Sequence, residues 1–130
     1  MRSVRRARRP LVALVALVAA LAVGYAVHAG SSGQPAIHTV RLSSLPPQVA
    51  TTVDLIRQGG PFPYPRDDGV VFHNDEHRLP GERAGYYHEY TVPTPGSPDR
   101  GARRIITGAG GQFYWTADHY ETFERVKVDG

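Results

Sequence analysis

The stretch Gly85-Tyr-Tyr-His-Glu-Tyr-Thr-Val92 is followed, after a turn rich in proline and glycine, by Arg100-Gly-Ala-Arg-Arg-Ile-Ile-Thr-Gly108. The aromatic and β-branched residues from Tyr86 to Val92 fit a pleated, half-buried surface and so favour a strand. Prolines 93, 95 and 98 then end that strand, because proline cannot donate to a β-ladder. A second strand begins at Ile105. The pattern predicts two strands joined by a loop.

Alternation along the first strand places Glu89 on one face with Tyr87 and Thr91. If the second strand pairs with the first, Arg104 comes near Glu89, and Arg100 can reach in from the loop. A carboxylate beside two guanidinium groups suits a site that holds a phosphate and moves a proton near it. The alternative is an exposed Glu/Arg pair that is solvated and does no chemistry.

A histidine follows in a loop near the end of the chain. The segment Thr116-Ala-Asp-His-Tyr120 lies between a predicted strand at Phe113–Trp115 and another at Thr122–Val126. Loops between strands commonly carry function. Together these residues supply one base, two phosphate-binding cations and one acid, namely Glu89, Arg100, Arg104 and His119.

The preceding part of the chain predicts one helix among short strands. Pro46 and Pro47 suit the first turn of a helix, and Gly59 suits its end. Val49, Val53 and Ile56 give that helix one apolar stripe. Strands are predicted at Ile37–Leu42 and Val70–Phe72. A single helix with several strands indicates an α+β domain, with the helix packed on a twisted antiparallel sheet.

The N-terminal segment has the pattern of a secretion signal. Five arginines precede the apolar stretch Leu11–Val27, and Val27-His-Ala29 offers small residues for cleavage. The chain therefore divides into a signal peptide at 1–29, a flexible linker at 30–36 and a domain at 37–130. An uncleaved membrane anchor is the alternative, since the 17 apolar residues approach the minimum for crossing a bilayer. The paired arginines hint at twin-arginine export, but ordinary secretion is preferred.

The charge of the chain depends on that segment. The 130 residues carry a formal net charge of +3, but residues 30–130 hold ten basic and 12 acidic residues, a net charge of −2. The overall charge therefore gives no argument for a basic nucleic-acid-binding surface. The chain has no cysteine, so its secreted domain must fold without a disulfide.

A metal or cofactor site is not favoured by the sequence. His73 and His77 are four residues apart, a spacing that forms a zinc pair on a helix. The segment follows the Val70–Phe72 strand and precedes a Leu-Pro-Gly turn, so it is not predicted to be helical. No phosphate-binding glycine loop, serine elbow or cofactor fingerprint occurs. We therefore expect neither metal nor cofactor.

Six motifs in one order resemble the secreted bacterial guanyl-specific ribonucleases, relatives of barnase. They extend from about Thr39 to Phe123 and are Leu45-Pro-Pro47, Gly60-Pro-Phe-Pro-Tyr64, Gly69-Val-Val-Phe72, Gly85–Val92, Arg103-Arg-Ile-Ile-Thr-Gly108 and Asp118-His-Tyr120. The resemblance implies the microbial ribonuclease fold. It also implies metal-independent cleavage of single-stranded RNA on the 3′ side of guanosine, through a 2′,3′-cyclic phosphate. Glu89 would be the base, His119 the acid, and Arg100 and Arg104 the phosphate ligands.

The resemblance also assigns a guanine pocket to Phe72–Glu76. Backbone N–H groups would meet the base oxygen, and Glu76 would accept the N1 and amino hydrogens, a pair of donors that only guanine offers. Asn74 would support the loop. His73 and Asp75 depart from the amide and arginine that relatives commonly have there. Aromatic rings for stacking on bases are Tyr64, Phe72 and Tyr120.

The remaining expectations concern partners and stability. We expect a secreted monomer that acts on single-stranded RNA and not on DNA, without stable membrane association after signal cleavage. A small barstar-like protein inhibitor is a candidate partner. The alternative is an RNA- or nucleotide-binding module with weakened catalysis. The changes at His73 and Asp75 are the reason to retain this alternative. Relatives join their first strand to the C-terminus by a disulfide where this chain has Arg41, a link that usually contributes roughly 2–4 kcal/mol.

Overall fold

The computed structural model describes residues 36–128 of the chain. The predicted signal peptide and nearly all of the predicted linker lie outside the described residues. Within them, no helix has the length and apolar character needed to cross a bilayer.

One helix and six strands make up the described domain, and their bounds are close to those expected from the sequence. The helix α1 spans Pro47–Gln58 and follows a short 3-10 turn at Leu42–Ser44. The strands are β1 Thr39–Arg41, β2 Val70–Phe72, β3 Tyr87–Thr91, β4 Arg104–Gly108, β5 Phe113–Thr116 and β6 Glu124–Lys127.

Helix α1 begins and ends where its sequence signals place it. Pro47 occupies the first turn, where its fixed φ and missing N–H cost nothing. Gly59 ends the helix in the left-handed conformation, with φ 81°. Its N–H donates to the carbonyl of Ile56 over 3.2 Å, which satisfies one of the last orphan acceptors of the helix.

The strands form one sheet in the order β1-β6-β5-β4-β3-β2. Neighbouring strands are antiparallel except for β1 and β6, which pair in parallel. The predicted α+β architecture is confirmed. The parallel pair departs from a purely antiparallel sheet. Parallel strands need a long connection, and the rest of the domain supplies it between β1 and β6.

Two apolar clusters hold the domain together. On the helix face of the sheet, α1 packs through a buried cluster made of Val49, Val53, Val92, Ile105, Trp115 and Val126. A second cluster is covered by loops and contains Leu79, Tyr87, Ile106, Tyr114 and Phe123. Ile105 and Ile106 are adjacent in β4, so their side chains point to opposite faces and the two clusters lie on opposite sides of the sheet.

The face away from α1, here called the open face, carries the predicted chemistry. The registers align five residues across it in one row, which are Glu89, Ile106, Tyr114, Arg125 and Thr39. Residues paired across strands project to the same side of a sheet. Glu89 is therefore on the open face, as the alternation in β3 predicts.

Candidate active site

Glu89 and Tyr120 are joined by a hydrogen bond at one end of the open face. The phenol oxygen of Tyr120 donates to Oε2 of Glu89 over 3.1 Å. Burial and the negative charge of Glu89 raise the pKa of Tyr120, while Arg104 opposes that shift. Tyr120 thus remains a neutral donor at physiological pH, and Glu89 and Arg104 both act on the same phenol.

Arg104 is a buried cation on the same face. It lies opposite Thr91 in the β3–β4 register, diagonal to Glu89, and its exposed fraction is 2%. Its Nη1 donates to the carbonyl of Arg103 over 2.7 Å. Its Nε is buried and has no hydrogen-bond partner among residues 36–128. A buried charged donor without a partner is costly, so it indicates a position that suits an anion.

Arg100 approaches the site from the loop between β3 and β4. Its Nε donates to the hydroxyl of Thr91 over 3.1 Å, and its Nη1 lies 3.6 Å from a carboxylate oxygen of Asp67. The guanidinium carbon lies 5.9 Å from the ring centroid of Tyr64. In the described part of the chain, its buried Nη2 also lacks a partner. Arg100 and Arg104 thus each present one buried guanidinium nitrogen without a partner.

Asp68 fixes the loop that carries Tyr64 and Asp67. This carboxylate is buried and accepts hydrogen bonds from the backbone N–H of Thr91 over 2.7 Å and of Tyr64 over 3.0 Å. Hydrogen bonds to a charged acceptor are among the stronger ones in proteins. Asp68 therefore joins the loop to β3, next to the residue that contacts Arg100.

His119 lies on an exposed loop whose backbone is fixed. His119 and Tyr120 both have positive φ, 56° and 73°. The N–H of His119 donates to the carbonyl of Ala102 over 3.0 Å, and the N–H of Tyr120 donates to the hydroxyl of Thr116 over 3.1 Å. These bonds tie the loop to β5 and to the segment before β4, which stabilises an unusual conformation for non-glycine residues.

Asp118 closes the same loop from the other side. It accepts hydrogen bonds from the hydroxyl of Thr116 and the N–H of Thr122, both over 2.9 Å. Burial alone would raise the pKa of Asp118, but the hydrogen bonds from Thr122 and Thr116 outweigh it and lower that pKa. Asp118 is thus an ionised structural acceptor beside His119.

The segment from Phe72 to Leu79, here called the base loop, is held by one buried amide. The side chain of Asn74 donates to the carbonyl of Leu79 and accepts from its N–H, both over 3.0 Å. Asn74 is 8% exposed and has φ 56°, and His77 has φ 55°. The segment is not helical, as predicted. Among residues 36–128, no group of three His, Cys, Asp or Glu side chains is placed to hold a metal ion.

The base loop and the loop that carries His119 meet through two aromatic rings. Phe72 and Tyr120 stack with centroids 5.2 Å apart and planes inclined by 25°. The His119 ring lies 4.7 Å from the Tyr120 ring. Tyr120 therefore contacts residues from both halves of the predicted site, the base-reading half and the proton-transfer half.

The structure brings together most, but not all, of the residues selected from the sequence. Glu89, Arg104 and Tyr120 are mutual neighbours, Arg100 joins them through Thr91, and Tyr64 lies against Arg100. His73 and Glu76 are exposed in the base loop, and neither makes a side-chain hydrogen bond or ion pair within residues 36–128. Their predicted contact with a base depends on the ligand.

The chain matches the family model described as ribonuclease over residues 28–127. The chain belongs to the ribonuclease family. The resemblance identified from the sequence is thereby confirmed. Guanyl-specific ribonuclease St of Saccharopolyspora erythraea is 57% identical over 90 residues, covering 69% of this chain and 88% of that protein. Guanyl-specific ribonuclease Sa3 of Kitasatospora aureofaciens is 62% identical over 92 residues, covering 70% of this chain and 64% of that protein.

Solved structures of ribonucleases give the same fold. The structure of ribonuclease Sa2 in complexes with mononucleotides superposes with a TM-score of 0.70 at 52% identity, covering 72% of this chain and 97% of that one. The structure of ribonuclease Sa2 with guanosine-2′-cyclophosphate gives 0.69 at 49% identity, covering 73% of this chain and all of that one. The predicted fold is therefore confirmed by ribonucleases as well as by the strand order.

Three contacts of the site were missed by sequence reasoning. Tyr120 was selected as a stacking ring, and its bond to Glu89 was not foreseen. Asp67 was not linked to Arg100, although both flank proline-containing loops at one end of the sheet. The position of Thr91 in the site could have been predicted from the sequence, because Thr91 lies two residues from Glu89 and on the same face of the strand.

Proposed function

We propose that this chain is an endoribonuclease that cleaves single-stranded RNA on the 3′ side of guanosine, by transesterification and without a metal ion. The observation that carries the proposal is the pair of buried guanidinium nitrogens without partners, Nη2 of Arg100 and Nε of Arg104, on the face that carries Glu89. A phosphate would satisfy both donors. The 57–62% identity to guanyl-specific ribonucleases supports the same conclusion.

In the first step, Glu89 accepts the proton of the ribose 2′-OH, and that oxygen attacks the adjacent phosphorus. The bond from phosphorus to the departing 5′-oxygen breaks, and protonated His119 donates a proton to that oxygen. Arg100 and Arg104 offset the charge that develops on the phosphate, and such preorganised charges are usually the largest catalytic contribution. The products are a 2′,3′-cyclic phosphate and a free 5′-hydroxyl.

In the second step, water opens the cyclic phosphate and the two proton-transfer groups exchange roles. His119, now neutral, accepts a proton from the water, and Glu89 returns a proton to the 2′-oxygen. Tyr120 stays protonated in both steps because its pKa is raised. It therefore orients Glu89 and does not compete with it as a base.

Base recognition is assigned to the base loop. Backbone N–H groups would donate to the guanine oxygen, and Glu76 would accept from N1 and the amino group. The stacked rings of Phe72 and Tyr120 offer an aromatic surface for the base. The bidentate clamp from Asn74 to Leu79 supports this role, since it fixes the loop backbone before any ligand arrives.

The cellular setting is also part of the proposal. Residues 1–29 act as a signal peptide, so the mature enzyme is a secreted monomer without a membrane anchor. Its substrate is RNA and not DNA, because the nucleophile is the 2′-OH. A small barstar-like protein inhibitor would protect the producing cell.

The deciding experiment uses one RNA strand in which a single guanosine is replaced by 2′-deoxyguanosine, incubated with excess EDTA. Cleavage should persist after every other guanosine and stop at the deoxy position, while binding changes little. A Glu89→Gln variant serves as the catalytic control. Cleavage at the deoxy position, or activity that chelation abolishes and added metal restores, would refute the mechanism. Binding of RNA without any cleavage would favour the binding module.

A further inference from the structure

Three exposed cations lie together at the far edge of the open face, and they are here called the basic edge: Arg41, Arg125 and Lys127. Arg41 lies directly opposite Lys127 in the parallel β1–β6 pair, and Arg125 lies two residues before Lys127 on β6. Neighbouring strands are about 4.8 Å apart, and residues two apart on a strand are separated by about 6.6 Å. Three positive charges thus occupy a patch only two strands wide.

Within residues 36–128, the three cations of the basic edge form no ion pair with a carboxylate. The one ion pair among residues 36–128 joins Arg100 to Asp67, at the other end of the sheet from the basic edge. The acidic neighbour Glu124 pairs with Trp115, so its side chain projects to the helix face. Like charges directly opposite each other in a sheet are destabilising. An added polyanion would relieve that repulsion.

The basic edge shares its face with the proposed catalytic base. Arg125 and Glu89 belong to the same cross-sheet row, three strands apart. That is a lateral distance of about 14 Å at the usual strand spacing. The residues between them, Ile106 and Tyr114, are buried members of the second apolar cluster, which loops cover. A ligand that contacts both ends must therefore be longer than one nucleotide and pass over that cover.

We propose that the basic edge is an accessory binding surface for the RNA backbone, which contacts phosphates of nucleotides that flank the cleaved guanosine. The inference rests on the proposed function, since it takes RNA as the substrate. RNA is favoured over an acidic protein because the patch lies on the same face as Glu89 and Arg104. Contacts from lysine and arginine to phosphates position a strand without reading its sequence. The surface would thus extend the site without changing its specificity.

The experiment compares substrates of different length and variants of matched charge. Substrates are a guanosine-containing dinucleotide and oligonucleotides with one guanosine, extended on the 5′ or the 3′ side. Enzymes are the wild type, the triple variant Arg41→Gln/Arg125→Gln/Lys127→Gln, the single variant Arg125→Gln and its control Arg57→Gln. Arg57 lies in α1 over the Phe113 ring, on the opposite face, and its replacement removes the same charge.

We expect the triple variant to cleave the dinucleotide as the wild type does, and to lose kcat/KM on one of the extended series. The salt slope of log kcat/KM for that series should become shallower by about two, because each phosphate contact with a single strand contributes about 0.7. The series that responds identifies the side of the guanosine on which the strand crosses the patch. Arg125→Gln should make the salt slope shallower, and Arg57→Gln should leave it unchanged.

Two results would overturn the proposal. One is an unchanged salt slope on both extended series, and the other is an equal loss for Arg125→Gln and Arg57→Gln, which would reflect total charge alone. If the wild type does not cleave the dinucleotide, the proposed function fails instead. Fluorescence anisotropy of the labelled oligonucleotides then still decides whether the basic edge binds RNA.

Discussion

The phenol oxygen of Tyr120 lies 3.1 Å from Oε2 of Glu89 and donates a hydrogen bond to it, while the same ring stacks on Phe72 at 5.2 Å. Tyr120 therefore contacts both the proposed catalytic base, Glu89, and the aromatic ring of Phe72 at the start of the base loop. The two contacts can be separated by mutation, because the hydroxyl makes one and the ring makes the other.

Tyr120→Phe should lower kcat with little change in KM, since the ring and its stack remain while the orienting bond to Glu89 is lost. We expect a several-fold loss and a fall in the free energy of unfolding of about 1 kcal/mol, as for other single hydrogen bonds. Tyr120→Leu should lose more of both, because it also removes the stack. Kinetics of Tyr120→Phe equal to those of the wild type would show that the hydroxyl contributes nothing.

Arg104→Met should separate activity from stability. The guanidinium is 2% exposed with an unpartnered Nε, so its burial is costly without a bound anion. We expect kcat/KM to fall at least about 100-fold. The free energy of unfolding, measured by urea denaturation, should stay equal or rise by about 1 kcal/mol. Parallel losses of both would identify Arg104 as a structural residue.

Glu76→Ala should reduce the preference for guanosine over adenosine more than it reduces the rate of the proton transfers. The matched control is Asp75→Ala, since both carboxylates are exposed in the same turn of the base loop. The measurement is the ratio of cleavage after guanosine to cleavage after adenosine on one mixed RNA. If Asp75→Ala changes the ratio as much as Glu76→Ala does, general electrostatics and not base reading is responsible.

His119→Ala should slow cleavage of ordinary RNA far more than cleavage of a guanosine 3′-phosphodiester with a nitrophenolate leaving group. A good leaving group departs without a proton, so it does not need the acid. Single-turnover rates on the two substrates give the comparison. A loss of the same size on both would assign His119 a structural role in its loop.

Alkaline pH should destabilise the domain through its buried tyrosines. Burial raises the pKa of Tyr87, Tyr90, Tyr114 and Tyr120 above the ordinary value of 10.0. Their contribution to stability is therefore fully present below pH 10 and is lost as the pH rises through the folded pKa values. Urea unfolding followed from pH 8 to 11 should show a decline that starts near pH 10.

Tyr87→Phe tests that explanation at the tyrosine whose hydroxyl donates to the carbonyl of Pro80 over 2.6 Å. The variant should be less stable at pH 8, because the carbonyl loses its donor, but should decline less steeply above pH 10. An identical decline in the variant would exclude Tyr87 as a source of the alkaline effect.

The sequence was sufficient for the parts of the site that depend on regular structure. Alternation in β3 and pairing with β4 predict that Glu89 and Arg104 share a face, because strand period and register leave little freedom. The helix ends followed from Pro47 and Gly59 for a similar local reason.

Contacts made by loops were not predictable in the same way. The bond from Tyr120 to Glu89 comes from a loop in which both His119 and Tyr120 have positive φ, a conformation that is uncommon for non-glycine residues. That conformation is selected by bonds to Ala102 and Thr116, which are distant in sequence or made by side chains. The ion pair between Asp67 and Arg100 likewise depends on two loops that meet only in the folded domain.

The parallel pairing of β1 with β6 has a consequence for folding. Among the strand pairs of residues 36–128 it has the largest sequence separation, joining Thr39 to Arg125, and a chain without cysteine has no disulfide to support it. Contacts that close long loops tend to form late, because the chain loses conformational entropy on closing the loop before the strand pairing stabilises it. The meander from β2 to β5, which holds Glu89 and Arg104, can therefore assemble first. We therefore expect the β1–β6 edge to open more readily than the centre of the sheet, and amide hydrogen exchange there should outpace exchange in β4.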